Sequence, residues 1–256
     1  MRIFMLVLTL YSLPLHAAGP PPFNILSGLI GTLNSLFSGD LVYLVRPDAE
    51  TIHGLSEDFA HLIAWRSLSA QQPLGAGNFD VGLSLETTRL AHADLWQQAT
   101  GEAFRQVSLP RIHARVGLPG AINLGVSYYR NPSSDVGVQG FEVTRQFLPE
   151  VANLPALSLG VSGTRIIGVT GLEFRTQAAS LTVSRGYGGV TPYTGLGYVR
   201  ATGHYSGSRT LPFDMQAAFW RGFVGVEARY GMLTLAGEIG TKSGARDAGM
   251  RVAIGF

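Results

Sequence analysis

The chain ends Asp247-Ala-Gly-Met-Arg-Val-Ala-Ile-Gly-Phe256, and this stretch decides the fold. Met250, Val252, Ile254 and Phe256 share one parity, while Gly249, Arg251, Ala253 and Gly255 share the other. Successive side chains of a strand point to opposite faces, so the pattern describes a strand with one apolar and one small or polar face. The apolar series ends on the terminal aromatic.

The same period runs back to residue 78. Phe79, Val81, Leu83 and Leu85 alternate with Asp80, Gly82, Ser84 and Glu86. Ile112, Ala114, Val116 and Leu118 alternate with Arg111, His113, Arg115 and Gly117. Pro119-Gly120 then marks a tight turn before Ile122, Leu124, Val126 and Tyr128. Further strands are expected near 137–147, 155–167, 172–184, 190–203, 217–230, 232–241 and 247–256. In 172–184 the period slips, because Glu173, Arg175 and Gln177 share parity with Leu181 and Val183; a bulge near Ala178-Ala179 would repair it. Gly186, Gly188 and Gly189 precede a strand rather than a helix, so they read as a hairpin turn and not as a phosphate loop.

Ten strands result, an even number, and several have the roughly 9–11 residues that a tilted strand needs to cross a bilayer. The expected fold is all-β: a transmembrane antiparallel up-and-down barrel over 78–256, preceded by an extension at 19–77. Within that extension Leu26, Leu29, Ile30, Leu33, Leu36 and Phe37 recur at helical spacing, and so do Ile52, Leu55, Phe59, Leu62 and Ile63. Such helices can plug the lumen or lie at its mouth. A competing reading makes 41–46 and 57–68 two more strands, for twelve.

Residues 1–18 carry Arg2, an apolar run from Ile3 to Leu13, then His16-Ala17-Ala18, the order of a secretory signal peptide. That run is too short for a membrane helix. A spanning chain without long apolar helices must cross as closed strands, since lipid leaves backbone groups unsatisfied. There is no cysteine, so disulfides and thiolate metal sites are excluded. With 19 Lys+Arg against 17 Asp+Glu, and Lys242 the only lysine, no basic cluster suggests nucleic acid as partner. His53, His61 and His113 lack ligand spacing, so no metal and no cofactor is expected.

A terminal Phe on an alternating strand resembles the closing strand of bacterial outer-membrane barrels, where that residue is an assembly signal. Leu55-Ser-Glu-Asp-Phe59, Gln72-Pro-Leu-Gly75, Phe79-Asp-Val-Gly82, Ser184-Arg-Gly-Tyr-Gly188 and Thr191-Pro-Tyr-Thr-Gly-Leu-Gly-Tyr198 also resemble a group of proteobacterial outer-membrane barrel proteins without assigned activity. The resemblance implies a monomer in the outer membrane of a Gram-negative bacterium. Its implied partners are outer-membrane lipid, lipopolysaccharide and the barrel assembly machinery. It also implies a periplasmic Phe256, which puts the short turns on that side and the long links at 88–109 and 204–216 outside. A soluble barrel would show the same alternation; the leader, the terminal Phe and the loop asymmetry favour the membrane.

The polar face carries Asp80, Glu86, Arg111, His113, Arg115, Arg221, Glu227, Arg229, Glu238 and Arg251. Asp80 and Glu86 fall beside Arg111 and Arg115. Arg221, Glu227 and Arg229 fall beside Glu238, and Glu238 beside Arg251. These ten are expected to line the lumen as a charge ladder, since unpaired buried charge is costly. The corresponding function is a narrow passive pore or small-solute barrel whose arginines favour anions. The alternative is a structural or interaction barrel with a filled lumen and working outer loops. More distant is a hydrolase: His92, Asp94 and Glu102 supply the residue types of an omptin-like protease, and His204-Tyr205-Ser206 has a loose likeness to a lipid A deacylase. Tyr128, Tyr129, Trp220 and Tyr230 are expected near the membrane interfaces, with ordinary cross-strand packing an equal reading for Tyr129.

Overall fold

The fold is taken from a computed structural model that describes residues 49–256 apart from 101–104, 132–134, 152–153, 207–211 and 243. The leader at 1–18, the apolar series from Leu26 to Phe37, the alternation at 41–46 and Glu102 lie outside the described residues.

The chain opens with helix α1 (Ala49–Ile63), runs as an irregular strap through residues 64–78 and enters β1 (Phe79–Arg89). Helix α2 (Ala93–Thr100) lies in the following loop. The remaining strands are β2 (Gln106–Leu118), β3 (Ile122–Arg130), β4 (Gly137–Leu148), β5 (Ala156–Ile167), β6 (Leu172–Ser184), β7 (Val190–Tyr205), β8 (Phe213–Tyr230), β9 (Leu233–Lys242) and β10 (Ala245–Gly255). Every strand pairs antiparallel with its sequence neighbour, and β1 pairs with β10, which closes a ten-stranded barrel. Phe256 forms the last rung of that seam. It exchanges backbone hydrogen bonds with Phe79, and the two rings stack at 5.1 Å.

The twelve-strand alternative fails over 57–68, which is helical to Ile63 and then strap. The expected bulge at Ala178-Ala179 is also absent. β6 keeps continuous register with both neighbours, and Glu173, Arg175 and Gln177 share the outer side with Leu181 and Val183.

The apparent slip has a different cause: the chemistry of the two faces exchanges partway along the strands. Toward the end that carries the short turns, the outside is apolar, as with Leu83 (62% exposed), Leu196 (60%) and Ile239 (62%). At that level the inside holds the charged residues. Toward the opposite, long-loop end the same strands reverse. In β2, Val107 and Leu109 point inward while Gln106 and Ser108 point outward. In β6, Leu172 and Phe174 are inside and Glu173 and Arg175 outside. In β7 and β8, Ala201 and Met215 are inside while His204 and Asp214 are exposed.

An apolar exterior over charged interior side chains is stable only against lipid, whereas the reversed end has the pattern of a barrel in water. The barrel is therefore transmembrane through its short-turn portion and continues beyond the bilayer as a water-facing collar. Trp220 and Tyr128 face outward on the belt, and Tyr230 stands at its short-turn edge. Tyr129 does not join them: it is buried inside, next to the collar core, because its parity is opposite to that of Tyr128.

This boundary can be measured with two substitutions on one face of β1. Leu83→Arg, in the belt, is expected to destabilise the barrel in lipid vesicles by about 2–4 kcal/mol, and Thr87→Arg, one row beyond it, by about 0–1 kcal/mol. Urea unfolding monitored by tryptophan fluorescence gives both values.

Candidate functional site

Helix α1 occupies the collar, where Phe59, Leu62 and Ile63 pack among the inward apolar residues and Phe59 meets Phe174 edge-on at 4.8 Å. Its middle is latched to the loop after β1. The buried Asp58 carboxylate accepts from the backbone of Ala91 (3.0 Å) and His92 (2.9 Å) and from Trp96 Nε1 (3.2 Å). Lys242 donates to Glu57 at 3.0 Å. At the inner end two guanidinium groups cap the helix: Arg111 donates to the carbonyls of Ile63 (2.8 Å) and Ala64 (3.3 Å), and Arg66 to that of His61 (2.9 Å). Cations there suit the helix dipole.

The strap then threads the lumen. Trp65 lies against Gly125 and Gly140, where any Cβ at Gly140 would fall 2.6 Å from the indole. Leu68 occupies the equivalent socket over Gly249, again at 2.6 Å. Trp65 and Ser67 both donate to Glu142, the second at 2.9 Å. Ser69 accepts from Arg115 (2.8 Å), Ala70 donates to Glu227 (3.2 Å), and Leu74 donates to Asn123 (2.9 Å). Leu68 and Gln71 hold φ values of 44° and 53°, a region side chains avoid unless surroundings impose it. Around the strap the interior retains cavities of about 40 and 10 Å³.

The expected ladder residues all lie on the inward face. Asp80, Glu86, Arg111, His113, Arg115, Arg221, Glu227, Glu238 and Arg251 are buried, and Arg229 is partly so. Their partners differ in part from the expected ones. Asp80 receives Arg115 (2.5 Å) and Arg251 (2.8 Å), which joins three strands across the seam. Arg251 also donates to His113 at 2.5 Å. Glu238 pairs with Arg221 (2.7 Å) and not with Arg251, because Gly249 is the β10 residue facing it. Arg229 pairs with Glu227 at 2.8 Å. Glu86 lies 3.7 Å from Arg111 and 4.0 Å from Arg66.

A second centre was missed. Asp247 accepts from Arg221 Nε (2.9 Å) and Nη2 (2.5 Å) and from His61 Nε2 (2.8 Å), with Arg66 at 3.9 Å. It shares the parity of Arg251, and Glu142 that of Thr144, so both were readable as inward residues. Arg66 sits in an aperiodic strap that offers no such signal. His61, on the helix and above the belt, is pushed by burial from 6.5 down to about 4, against the pull of its Asp247 hydrogen bond.

The hydrolase residue types do not assemble alike. His92 turns inward to Asp58, with Nδ1 at 3.3 Å. His204 stays on the outer surface, with Nδ1 2.7 Å from Asp214. Tyr205 between His204 and Ser206 points inward.

No family model and no curated protein matches the chain. Among solved structures, similarity is found to the N-terminal β-barrel domain of Pseudomonas aeruginosa OprF, with 11% identity over 69% of this chain and 97% of that one and a TM-score of 0.35. The outer membrane protease OmpT of Escherichia coli has 11% identity over 70% and 97%, with a TM-score of 0.37. The attachment invasion locus protein Ail of Yersinia pestis has 8% identity over 71% and 100%, with a TM-score of 0.30. At these scores the fold stands on the strand pairing described above.

Asp247→Asn leaves Arg221 and Arg66 short of charge compensation and is expected to cost about 3–5 kcal/mol by urea unfolding. Arg130→Gln removes an exposed pair with Asp135 and should stay within about 1 kcal/mol. The His61 shift has a definite sign. The neutral ring is favoured on folding, so its contribution is complete above the unfolded value and is lost as pH falls through 6.5 toward 4. His61→Gln should therefore flatten the fall in melting temperature across that window.

Proposed function

We propose that this chain is an outer-membrane barrel with a sealed lumen that acts through its collar and outer loops rather than as a pore. The observation that carries this reading is the occupied interior: the strap is bonded to the wall along its length, and the cavities described beside it, about 40 and 10 Å³, give room for a few ordered waters. The inward arginines meet carboxylates, helix carbonyls or a histidine, so they serve as braces for the plug and the seam.

In this reading Phe256 marks the periplasmic end and acts as the assembly signal, the short turns at 119–121, 185–189 and 231–232 lie in the periplasm, and the collar stands outside the cell. The expected partners at the membrane level are outer-membrane lipid and lipopolysaccharide, with the barrel assembly machinery acting during insertion.

Planar-bilayer recording of the folded full chain decides between sealed and open. The expected result is no stepwise conductance, with steps appearing in a folded variant lacking residues 64–74. Steady steps from the full chain would restore the narrow pore.

A further inference from the structure

The outer face of β5, β6 and β7 carries an arrangement that the sealed-barrel reading leaves unused. Arg165 on β5 and Arg175 on β6 are directly opposite in the strand register, and both are exposed. Like charges in facing positions destabilise a strand pair. Neither has an acidic partner among the described residues; each is held by a neutral acceptor. Arg165 donates through Nε (3.0 Å) and Nη2 (2.8 Å) to Gln139, and Arg175 through Nε (3.1 Å) to Thr202. These bonds fix both guanidinium groups by their Nε edges. Arg200 on β7 adds a third cation one row nearer the belt, across from Gln177.

The row beyond holds Glu173, His204 and Asp214, with His204 bonded to Asp214, so the acidic groups lie on the water side of the arginines. An open depression of about 580 Å³ spans this face, lined by Arg165, Ile167, Glu173, Arg175, Thr202 and His204 with strand backbone. That is within the range of small-molecule sites. On the other side of the arginines the belt begins with exposed Val161, Leu181 and Leu196.

We propose that this face binds a phosphate-bearing lipid headgroup, with the phosphate between Arg165 and Arg175 and the acyl chains along Val161, Leu181 and Leu196. The proposal rests on the transmembrane reading, because only a bilayer boundary at this level delivers headgroups to these arginines. A phosphate oxyanion relieves the facing positive charges and takes charge-assisted hydrogen bonds from the remaining guanidinium N–H groups. A free anion would gain the first effect but not the contact with the belt.

The test uses the folded full chain in neutral detergent and two probes, a diphosphorylated acylated glucosamine disaccharide and the same glycolipid without its phosphates, with binding read by native mass spectrometry. The phosphorylated lipid is expected to bind about tenfold more tightly. Arg165→Gln/Arg175→Gln should abolish that preference. Arg89→Gln/Arg246→Gln, which removes two exposed rim arginines on the other wall, should leave it intact.

Equal binding of the two lipids by the unaltered chain overturns the site, as does an unchanged preference in the first variant or an equal loss in the second. Competition by inorganic phosphate at matching concentration replaces the lipid with a free anion and also overturns it. A chain that never acquires the heat-sensitive gel mobility of a folded barrel overturns the transmembrane reading itself, which separates the two failures.

Discussion

Everything in this molecule depends on closing β1 against β10 around charged side chains that have no bulk water to retreat to. Asp80 is the meeting point: it takes Arg115 from β2 and Arg251 from β10, so one carboxylate ties the first, second and last strands together. Backbone pairing alone closes a barrel but leaves the interior arginines uncompensated. With Asp80 in place, the same contacts that satisfy charge also set the register of the seam. Arg221 repeats the logic beside the seam, spanning β8, β9 and β10 through Glu238 and Asp247.

The plug follows from that requirement. A narrow lumen walled with charges and small residues is unstable empty, and the strap supplies both packing and partners. Inward glycines at 125, 140 and 249 make room for Trp65 and Leu68, while hydroxyls and backbone amides of 67–70 meet Glu142, Arg115 and Glu227. Helix α1 does the corresponding work in the collar with apolar contacts. The change from polar to apolar filling occurs at the level where the outer belt stops, so interior and exterior invert together.

That inversion explains what the sequence could and could not convey. Strand positions, their even number and the inward set of ten polar residues follow from parity, because a strand keeps its period whatever lies on either side. In β6, however, Glu173 and Arg175 looked out of phase only under the assumption that one face stays apolar throughout. Once the strand leaves the bilayer, the same parity carries the opposite chemistry, and no bulge is needed. Tyr129 was ambiguous for the related reason that an aromatic suits either the interface or a collar core. The pairing of Glu238 with Arg221 was beyond reach, since it depends on stagger between strands, and the partners on the strap had no periodicity to reveal them.

The strap also has a consequence for the order of assembly. It enters β1 at one mouth of the barrel, while the start of α1 lies at the other, beside Leu95 in the outer loop. The chain therefore runs through a ring formed by its own later strands. Pulling a helix with Phe59 and Ile63 through an already closed ten-stranded ring would break every contact on the way. The lower-barrier route is for the sheet to curl around the N-terminal segment and for the β1–β10 seam to zip last. Helix α1 and the strap, which precede the strands in the chain, then act as a mandrel, and the Phe79–Phe256 rung is the final stitch.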